Sequence, residues 1–166
     1  MSYHIYTTRG IVLSERPVRE ADRIYTIMTR NLGLVRAAAL GVRKEASKLR
    51  GALEPLVLSK ISLVRGKEYW RATSAEVIRS IFPAPTVARP LVLLEQLVRG
   101  EAPHPELFDA VEDAFFSTKL YDEMFEIHLV SQILFHLGYL KEADLTLGKK
   151  SLVKAINEGI QASHLT

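Results

Sequence analysis

The 166-residue chain is long enough for one domain or two small ones, and its 48% hydrophobic and 25% charged residues are ordinary for a folded protein. No apolar run approaches the roughly 20 residues that a membrane-spanning helix needs, and the N-terminal MSYHIYTTRG contains no apolar signal core. The absence of cysteine excludes disulfides and thiolate zinc sites and fits a reducing compartment. We therefore expect a folded cytoplasmic protein with no membrane contact, no export and no cofactor.

The formal net charge of +3 conceals a difference between the two halves of the chain. Residues 1–82 contain 15 Lys and Arg against 7 Asp and Glu, a net charge of +8. Residues 83–166 contain 7 Lys and Arg against 12 Asp and Glu, a net charge of −5. A basic half suits nucleic acid, whereas an acidic half suits a protein contact or plain solvation. We therefore expect the two halves to have different roles.

The first half alternates apolar and polar residues with the period of β-strands. Gly10 lies within the first such segment and is expected to mark a bulge or tight bend, and Asn31-Leu32-Gly33 is expected to form a turn. Short strands at this spacing predict a small barrel, and a bent first strand favours an OB-like barrel. The five predicted strands cover residues 3–16, 23–31, 34–40, 55–65 and 68–79.

The spacing of apolar residues becomes helical in the second half. Three prolines within residues 83–90 predict a domain boundary. A first helix is predicted over residues 91–98, where the apolar run is stopped by Gly100. A second helix is predicted around residues 107–116, whose leucine, valine and phenylalanine side chains lie mostly on one side.

Two more helices complete the predicted architecture. The third has the strongest pattern, with Asp122 as its N-cap and Gly138 at its end. The fourth carries apolar residues at helical spacing over residues 152–160. The fold class is therefore predicted as α+β, with an OB-like barrel domain at residues 1–82 and a small all-α domain at residues 83–166.

The sequence contains no recognisable catalytic constellation. Its five histidines are scattered and lie in no nucleophile or metal-ligand motif. The segment Gly41-Val42-Arg43-Lys44 lacks the glycine spacing and the Ser or Thr of a phosphate-binding loop. An acidic cluster at residues 109–113 is typical of a solvated helix face. We therefore predict that the protein is not an enzyme.

The most informative stretch is residues 34–56, LVRAAALGVRKEASKLRGALEPL. It passes from an apolar strand into a segment that carries Arg43, Lys44, Lys48 and Arg50, and then returns to apolar sequence. A positive loop between two strands is a place where a phosphate backbone can lie. A solvated hairpin loop that happens to be basic would show the same pattern.

Proteins that bind single strands combine cations along a groove with aromatic rings on which bases stack. Tyr69-Trp70-Arg71 follows a turn, and consecutive residues of a strand point to opposite faces, so one of the two rings is expected outside, beside a cation. Aromatic side chains of a small barrel also form its core, which gives these rings a purely structural explanation. The residues predicted to bind nucleic acid are Arg23, Arg30, Arg36, Arg43, Lys44, Lys48, Arg50 and Arg71, with Trp70 or Tyr69 as the stacking ring.

Four sequence blocks of the first half occur in the order found in a known family. They are Thr8-Arg9-Gly10-Ile11-Val12-Leu13, Glu20-Ala21-Asp22-Arg23-Ile24, Thr29-Arg30-Asn31-Leu32-Gly33 and, most specifically, Leu49-Arg50-Gly51-Ala52-Leu53-Glu54-Pro55. In this order they resemble the N-terminal domain of the bacterial recombination mediator RecO. In the second half, residues 125–140, ending in Leu137-Gly138-Tyr139-Leu140, are similar to a helix of the RecO helical domain.

The resemblance implies an OB barrel followed by a helical domain, in a protein that binds single- and double-stranded DNA and anneals complementary strands. It implies cooperation with RecR, so that the RecA recombinase is helped onto DNA coated by single-stranded-DNA-binding protein in the bacterial nucleoid. Many members of this family carry a four-cysteine zinc module, which a chain without cysteine cannot form. The chain is also shorter than is usual for the family, and the resemblance places the loss after Leu140. We therefore interpret the chain as a reduced RecO-like protein.

Two other functions fit the same sequence. One is a protein–protein adaptor with incidental nucleic-acid affinity, because Phe115, Phe116, Tyr121 and Phe125 are many aromatic side chains for a small helical unit. If these rings are instead buried, they need no partner. The other is an RNA-binding OB protein, which differs only in its ligand and which the residue pattern alone does not distinguish.

Overall fold

The computed structural model describes residues 3–42 and 47–164. Within these residues, five strands form a closed barrel in the order β1-β2-β3-β5-β4, and β4 pairs again with β1. Every pair is antiparallel except β3 with β5. The predicted OB-like barrel and the α+β class are confirmed. The strands are β1 (Ile5–Pro17), β2 (Arg23–Thr29), β3 (Gly33–Ala39), β4 (Val57–Val64) and β5 (Trp70–Ser80).

Alternate residues of each strand fill the inside of the barrel. Val12, Ile27, Val35, Ile61 and Leu63 are almost completely buried and belong to one apolar cluster. Because side chains of a strand point to opposite faces in turn, the same alternation turns the intervening residues outward. Closure of the barrel therefore determines which cations of the basic half reach solvent.

The first strand is continuous through Gly10, and its bulge lies between Val12 and Ser14. The predicted bulge or bend at Gly10 was therefore wrong in position. Gly10 instead faces the core, where an added Cβ atom would lie 2.7 Å from Cγ2 of Ile27. The glycine leaves room for two strands to approach each other closely. From the sequence alone, a glycine in this role is indistinguishable from a glycine at a bulge.

The chain enters β4 through Leu56, a non-glycine residue in the left-handed region with φ of 66°. Such a conformation is unfavourable for a bulky side chain. Two backbone hydrogen bonds hold it, from the Leu56 N–H to the Val12 carbonyl (3.0 Å) and from the Ile81 N–H to the Leu56 carbonyl (2.8 Å). Leu56 thus joins β1, through Val12, to Ile81, the residue that follows β5.

The described part of the second half is helical. Asp122 caps α3 by accepting a hydrogen bond from the Phe125 N–H at 2.9 Å, and Gly138, with φ of 86°, follows the end of α3, so both predicted signals are confirmed. No helix of residues 3–42 and 47–164 is long and apolar enough to cross a membrane. The helices are α1 (Pro85–Leu97), α2 (Pro105–Ser117), α3 (Glu123–His136) and α4 (Lys149–His164), with a short 3-10 helix at Glu142–Thr146 before α4.

The first helix begins at Pro85, earlier than the predicted start at Leu91. A proline in the first turn is tolerated, because the N–H that it lacks would have no partner inside the helix. Pro90 does remove one helical hydrogen bond, but its ring is buried in line with Val87 and Leu94. Burial of this stripe, spaced as one face of a helix, outweighs the unfavourable proline.

The chain divides into two compact units, Met1–Phe82 with Arg99–His104, and Pro83–Val98 with Pro105–Thr166. Residues 99–104 fall within the predicted helical domain, 83–166, whereas the structure groups them with the barrel. The backbone explains this grouping, because the Leu34 N–H donates to the Gly100 carbonyl at 3.1 Å. A segment between two helices thus returns to the start of β3, which no periodicity in the sequence indicates.

Gly33 is the residue on which this contact depends most directly. Its φ is +71°, and an added Cβ atom would lie 2.5 Å from the carbonyl oxygen of Ala102. We predict that Gly33→Ala lowers the free energy of unfolding by about 2–5 kcal/mol, from the left-handed backbone and the backbone clash together. The measurement is urea unfolding followed by the fluorescence of Trp70, the single tryptophan.

Gly51→Ala is the matched control for this variant. Gly51 also has a positive φ, of +85°, but an added Cβ atom would meet no atom of the described residues within 4 Å. The free energy of unfolding of the control is expected to fall only by the cost of the left-handed backbone, about 1–2 kcal/mol. Equal losses in the two variants would contradict a specific role for the contact with residues 99–104.

Candidate nucleic-acid interface

Residues 47–56, between β3 and β4, form a segment anchored to the barrel core. Leu53 is completely buried in the barrel cluster, and Leu49 packs against it. Ser59 fixes the same segment by donating from Oγ to the Ala52 carbonyl at 2.7 Å. These contacts account for the apolar positions of the block at residues 49–55. We refer to residues 47–56 as the anchored segment.

The anchored segment leaves its cations in solvent. Lys48 and Arg50 are both exposed, while the apolar residues between and after them face the core. Arg43 and Lys44, the other two cations predicted in this loop, lie outside the described residues. The predicted role of Lys48 and Arg50 as phosphate contacts stays a prediction, and their exposure is compatible with it.

Beside the anchored segment lies a pocket of about 330 Å³, which we call the end pocket. It brings Arg23 together with Arg50, two residues far apart in the sequence that were both predicted at the site. The end pocket is lined by Glu15, Arg23, Tyr25, Arg50, Leu53 and Glu54, among others.

Two residues of the end pocket have shifted pKa values. Arg23 donates a hydrogen bond to Glu15, and this bond raises the pKa of the Arg23 guanidinium above its ordinary value. Burial raises the pKa of Tyr25 to about 12, because the phenolate would be poorly solvated there. Arg23 is thus a fixed, paired cation, and it differs from the exposed Arg50 in that respect.

Arg36 and Arg71 form a second basic surface on the outside of the barrel. In the parallel pairing of β3 with β5, the buried Ala37 lies opposite Trp70, and Ala38 lies opposite Arg71. Arg71 and Ala38 therefore face outward, and Arg36, two residues before Ala38, faces the same way. Both arginines are exposed.

Arg30 belongs to a third group of cations, with Arg9 and Lys60, which we call the outer cluster. Arg9 and Lys60 lie opposite each other on β1 and β4, and the Arg30 N–H donates to the Arg9 carbonyl at 3.0 Å. The three cations line one pocket of about 510 Å³ together with the exposed Val77 and Ile78. Arg9 and Lys60 are not among the residues predicted at the site, because their proximity depends on strand register, which the sequence pattern does not give.

The structure overturns the prediction that Trp70 stacks on bases. Trp70 is 3% exposed, its indole N–H donates to Glu101 at 2.9 Å, and the Arg65 guanidinium lies 4.3 Å from its ring centroid. Tyr6 meets the same ring edge-on at 5.3 Å. The ring therefore has no face free for a base. Tyr69, the alternative, is half-buried, and its hydroxyl accepts a hydrogen bond from Arg16 at 3.0 Å.

In the helical unit, three of the four aromatic residues that suggested a docking surface pack against one another. The ring centroids of Phe115, Tyr121 and Phe125 lie 4.7–5.9 Å apart, and both phenylalanines are buried. Phe116 is half exposed. Most of this aromatic content is therefore explained by the core of the helical unit itself.

Comparison with known proteins agrees with the fold. An OB-like barrel with exposed cations belongs to a class of folds that binds oligonucleotides. Residues 1–81 match the sequence family described as "Recombination protein O N terminal". The barrel domain therefore matches the N-terminal domain of the RecO family, and the resemblance carried by the four sequence blocks is confirmed.

Relatives named DNA repair protein RecO show the extent of the match. The one from Synechococcus sp. (strain JA-2-3B'a(2-13)) is 42% identical over 87 residues, which cover 52% of this chain and 30% of that protein. The one from Gloeothece citriformis (strain PCC 7424) is 31% identical over 144 residues, which cover 80% of this chain and 50% of that protein. The chain thus spans half the length of these relatives or less.

The raised pKa of Tyr25 predicts a dependence of stability on pH at the alkaline end. An unfolded tyrosine ionises near pH 10 and the folded one near pH 12, so the stability is complete below about pH 10 and falls as the pH rises through this window. At about pH 11.5 the wild type is expected to have lost about 2 kcal/mol more than Tyr25→Phe, relative to about pH 9.

Urea unfolding at the two pH values, compared between the variants, checks this expectation. Tyr3→Phe, which changes an exposed tyrosine, is the control and should behave as the wild type. Equal alkaline losses in wild type and Tyr25→Phe would mean that Tyr25 is not the group responsible.

Proposed function

We propose that this protein is a RecO-like recombination mediator that binds single- and double-stranded DNA. The observation that carries the proposal is the exposed pair Lys48 and Arg50 on the anchored segment of a barrel that matches the N-terminal domain of the RecO family. The net charge of +8 on residues 1–82 supports it. The relatives of this chain are named DNA repair proteins.

The proposed mechanism is electrostatic and includes no covalent step. Cations of the barrel replace condensed counterions on the DNA phosphates, so affinity falls steeply with salt and depends little on sequence. Annealing follows because these cations screen the electrostatic repulsion between two complementary strands bound to the same protein. The cations lie in three groups: the anchored segment, the Arg36–Arg71 surface and the outer cluster. A phosphate backbone therefore has more than one possible path over the barrel.

We propose further that the protein cooperates with RecR, and through it helps RecA onto DNA covered by single-stranded-DNA-binding protein. Support for these partners comes from the family of the barrel alone. The adaptor function is the second candidate, and the exposed Phe116, Leu120 and Met124 of the helical unit favour it. Pull-down with RecR, and with the acidic tail of single-stranded-DNA-binding protein, tests whether the protein has these partners at all. Recovery of neither partner alongside tight DNA binding would discard the adaptor.

The first test of the proposed function is the double variant Lys48→Gln, Arg50→Gln. Each lost phosphate contact reduces the salt slope on single-stranded DNA by about 0.7, which at about 0.1 M salt corresponds to about fivefold in affinity. The double variant is therefore expected to bind about 25-fold more weakly, with a slope flatter by about 1.4 and the same loss for every sequence. Fluorescence anisotropy of a labelled oligonucleotide at several salt concentrations measures both quantities.

The control removes the same charge from the helical unit. Lys150 and Lys154 are exposed on α4, and the variant Lys150→Gln, Lys154→Gln should bind as the wild type does. An unchanged affinity of the Lys48–Arg50 variant at low salt would refute the proposed contact. An equal loss of affinity in both double variants would mean that net charge explains the effect, without a contact at Lys48 and Arg50.

A further inference from the structure

A β-bulge places two consecutive aliphatic side chains of β5 on one surface of the barrel. Arg79 pairs with Leu58 of β4, whereas Val77 pairs with the residue directly after Leu58. Ile78 is therefore the extra residue of the bulge. Regular alternation would turn Val77 and Ile78 to opposite faces, but both are nearly half exposed, at 46% and 44%. Bulges redirect side chains in this way, often beside functional sites.

These two aliphatic side chains lie in the pocket of the outer cluster, among its cations. Lys60 is exposed, and Arg9 and Arg30 are half-buried. Glu76, opposite Lys60 on β5, is the one carboxylate among the described residues that line this pocket. Cations therefore outnumber carboxylates around an apolar centre.

The outer cluster lies at the opposite end of β2 from the basic loop. Arg23, at the start of β2, pairs with Ala39, the last residue of β3 before that loop. Arg30 directly follows the last residue of β2. The seven residues of this strand span about 20 Å. The cations of the outer cluster are therefore a group separate from Lys48 and Arg50.

Aliphatic side chains surrounded by cations complement a ligand that has both apolar and negative groups. Exposed apolar patches with a polar rim commonly mark protein interaction sites. A phosphate backbone would use the cations but leave Val77 and Ile78 in water, and branched aliphatic side chains offer no flat face on which a base could stack. A peptide with carboxylates beside an apolar side chain complements both parts of the surface.

We propose that the outer cluster is a docking site for an acidic peptide segment of a partner protein. A leucine-like side chain of the segment packs against Val77 and Ile78, and its carboxylates face Lys60 and the two arginines. The pocket of about 510 Å³ has room for such a side chain. The five described strands close into a barrel, so the peptide is bound through side chains and not as an added strand. This proposal goes beyond DNA binding and depends on neither Lys48 nor Arg50.

The experiment follows the fluorescence anisotropy of three labelled peptides as the protein is added. The first peptide is Gly-Asp-Asp-Leu-Leu-Asp-Asp-Gly, the second has serine in place of both leucines, and the third has asparagine in place of every aspartate. The first is expected to bind about tenfold tighter than the second, because it buries an aliphatic side chain. It should also bind more tightly than the third at low salt, and this advantage should disappear near 1 M salt.

Two variants of β5 test the apolar contact. Ile78→Ser and Val77→Thr are expected to bind the first peptide about fivefold more weakly than the wild type. Val18→Ser is the matched control, because Val18 is also about half exposed but lies in the connection between β1 and β2. It should bind the peptide as the wild type does. Urea unfolding followed by the fluorescence of Trp70 establishes that each variant is folded.

Lys60→Gln tests the charged contact. An exposed ion pair is worth up to about fivefold in affinity, so a loss of about threefold is expected at low salt. Lys67→Gln is the control, because Lys67 is exposed in the turn between β4 and β5. Equal losses in the two lysine variants would overturn a specific contact at Lys60.

Titration of single-stranded DNA in the same buffer separates this proposal from the proposed function. Ile78→Ser should bind DNA as the wild type does, and weaker binding of both DNA and peptide by this variant would overturn the peptide site and assign the surface to DNA. Equal affinity of the wild type for all three peptides would also overturn the peptide site. The expected order of peptide affinities without any DNA binding would support the peptide site and overturn the proposed function.

Discussion

The pairing of β3 with β5 closes the barrel, and the rest of the barrel unit depends on this closure. The register joins Ala37 to Trp70 and Ala38 to Arg71, a short parallel contact. Side chains reinforce it, because the buried Trp70 fills the interior at this point and Glu101 accepts its indole N–H. A closed barrel has no exposed sheet edge, and each alternate residue is assigned to the inside or to solvent.

This assignment explains how a barrel with an apolar interior also carries a high positive charge. The outward positions of the strands hold Arg36, Arg71, Arg9 and Lys60, while the anchored segment holds its cations in solvent by burying Leu53. The same apolar contacts form one wall of the end pocket. The proposed phosphate contacts are therefore a consequence of this packing, in which the core fixes the segment and the segment presents its cations to solvent.

Two predictions failed for related physical reasons. Trp70 and Tyr69 were equivalent in the sequence, since alternation places one of them inside without saying which, and only the register with Ala37 decides. Glu101 was assigned to the helical domain, although its carboxylate binds Trp70 and Arg65 of the barrel unit. Trp70 and Glu101 are 31 positions apart in the chain, with a helix between them, and such a contact produces no periodic pattern in the sequence.

The sequence by itself determined the five strands, because their periodicity is local. It also determined the end of β2 at a glycine turn and the cap of α3, which follow from the chemistry of a few neighbouring residues. The family match of the barrel follows from contiguous sequence motifs. Only the tertiary structure decided the early start of α1, the return of residues 99–104 to β3, the burial of Trp70 and the meeting of Arg23 with Arg50. Each of these depends on contacts between residues distant in the chain, and burial of apolar surface there outweighs the local preferences that a sequence pattern records.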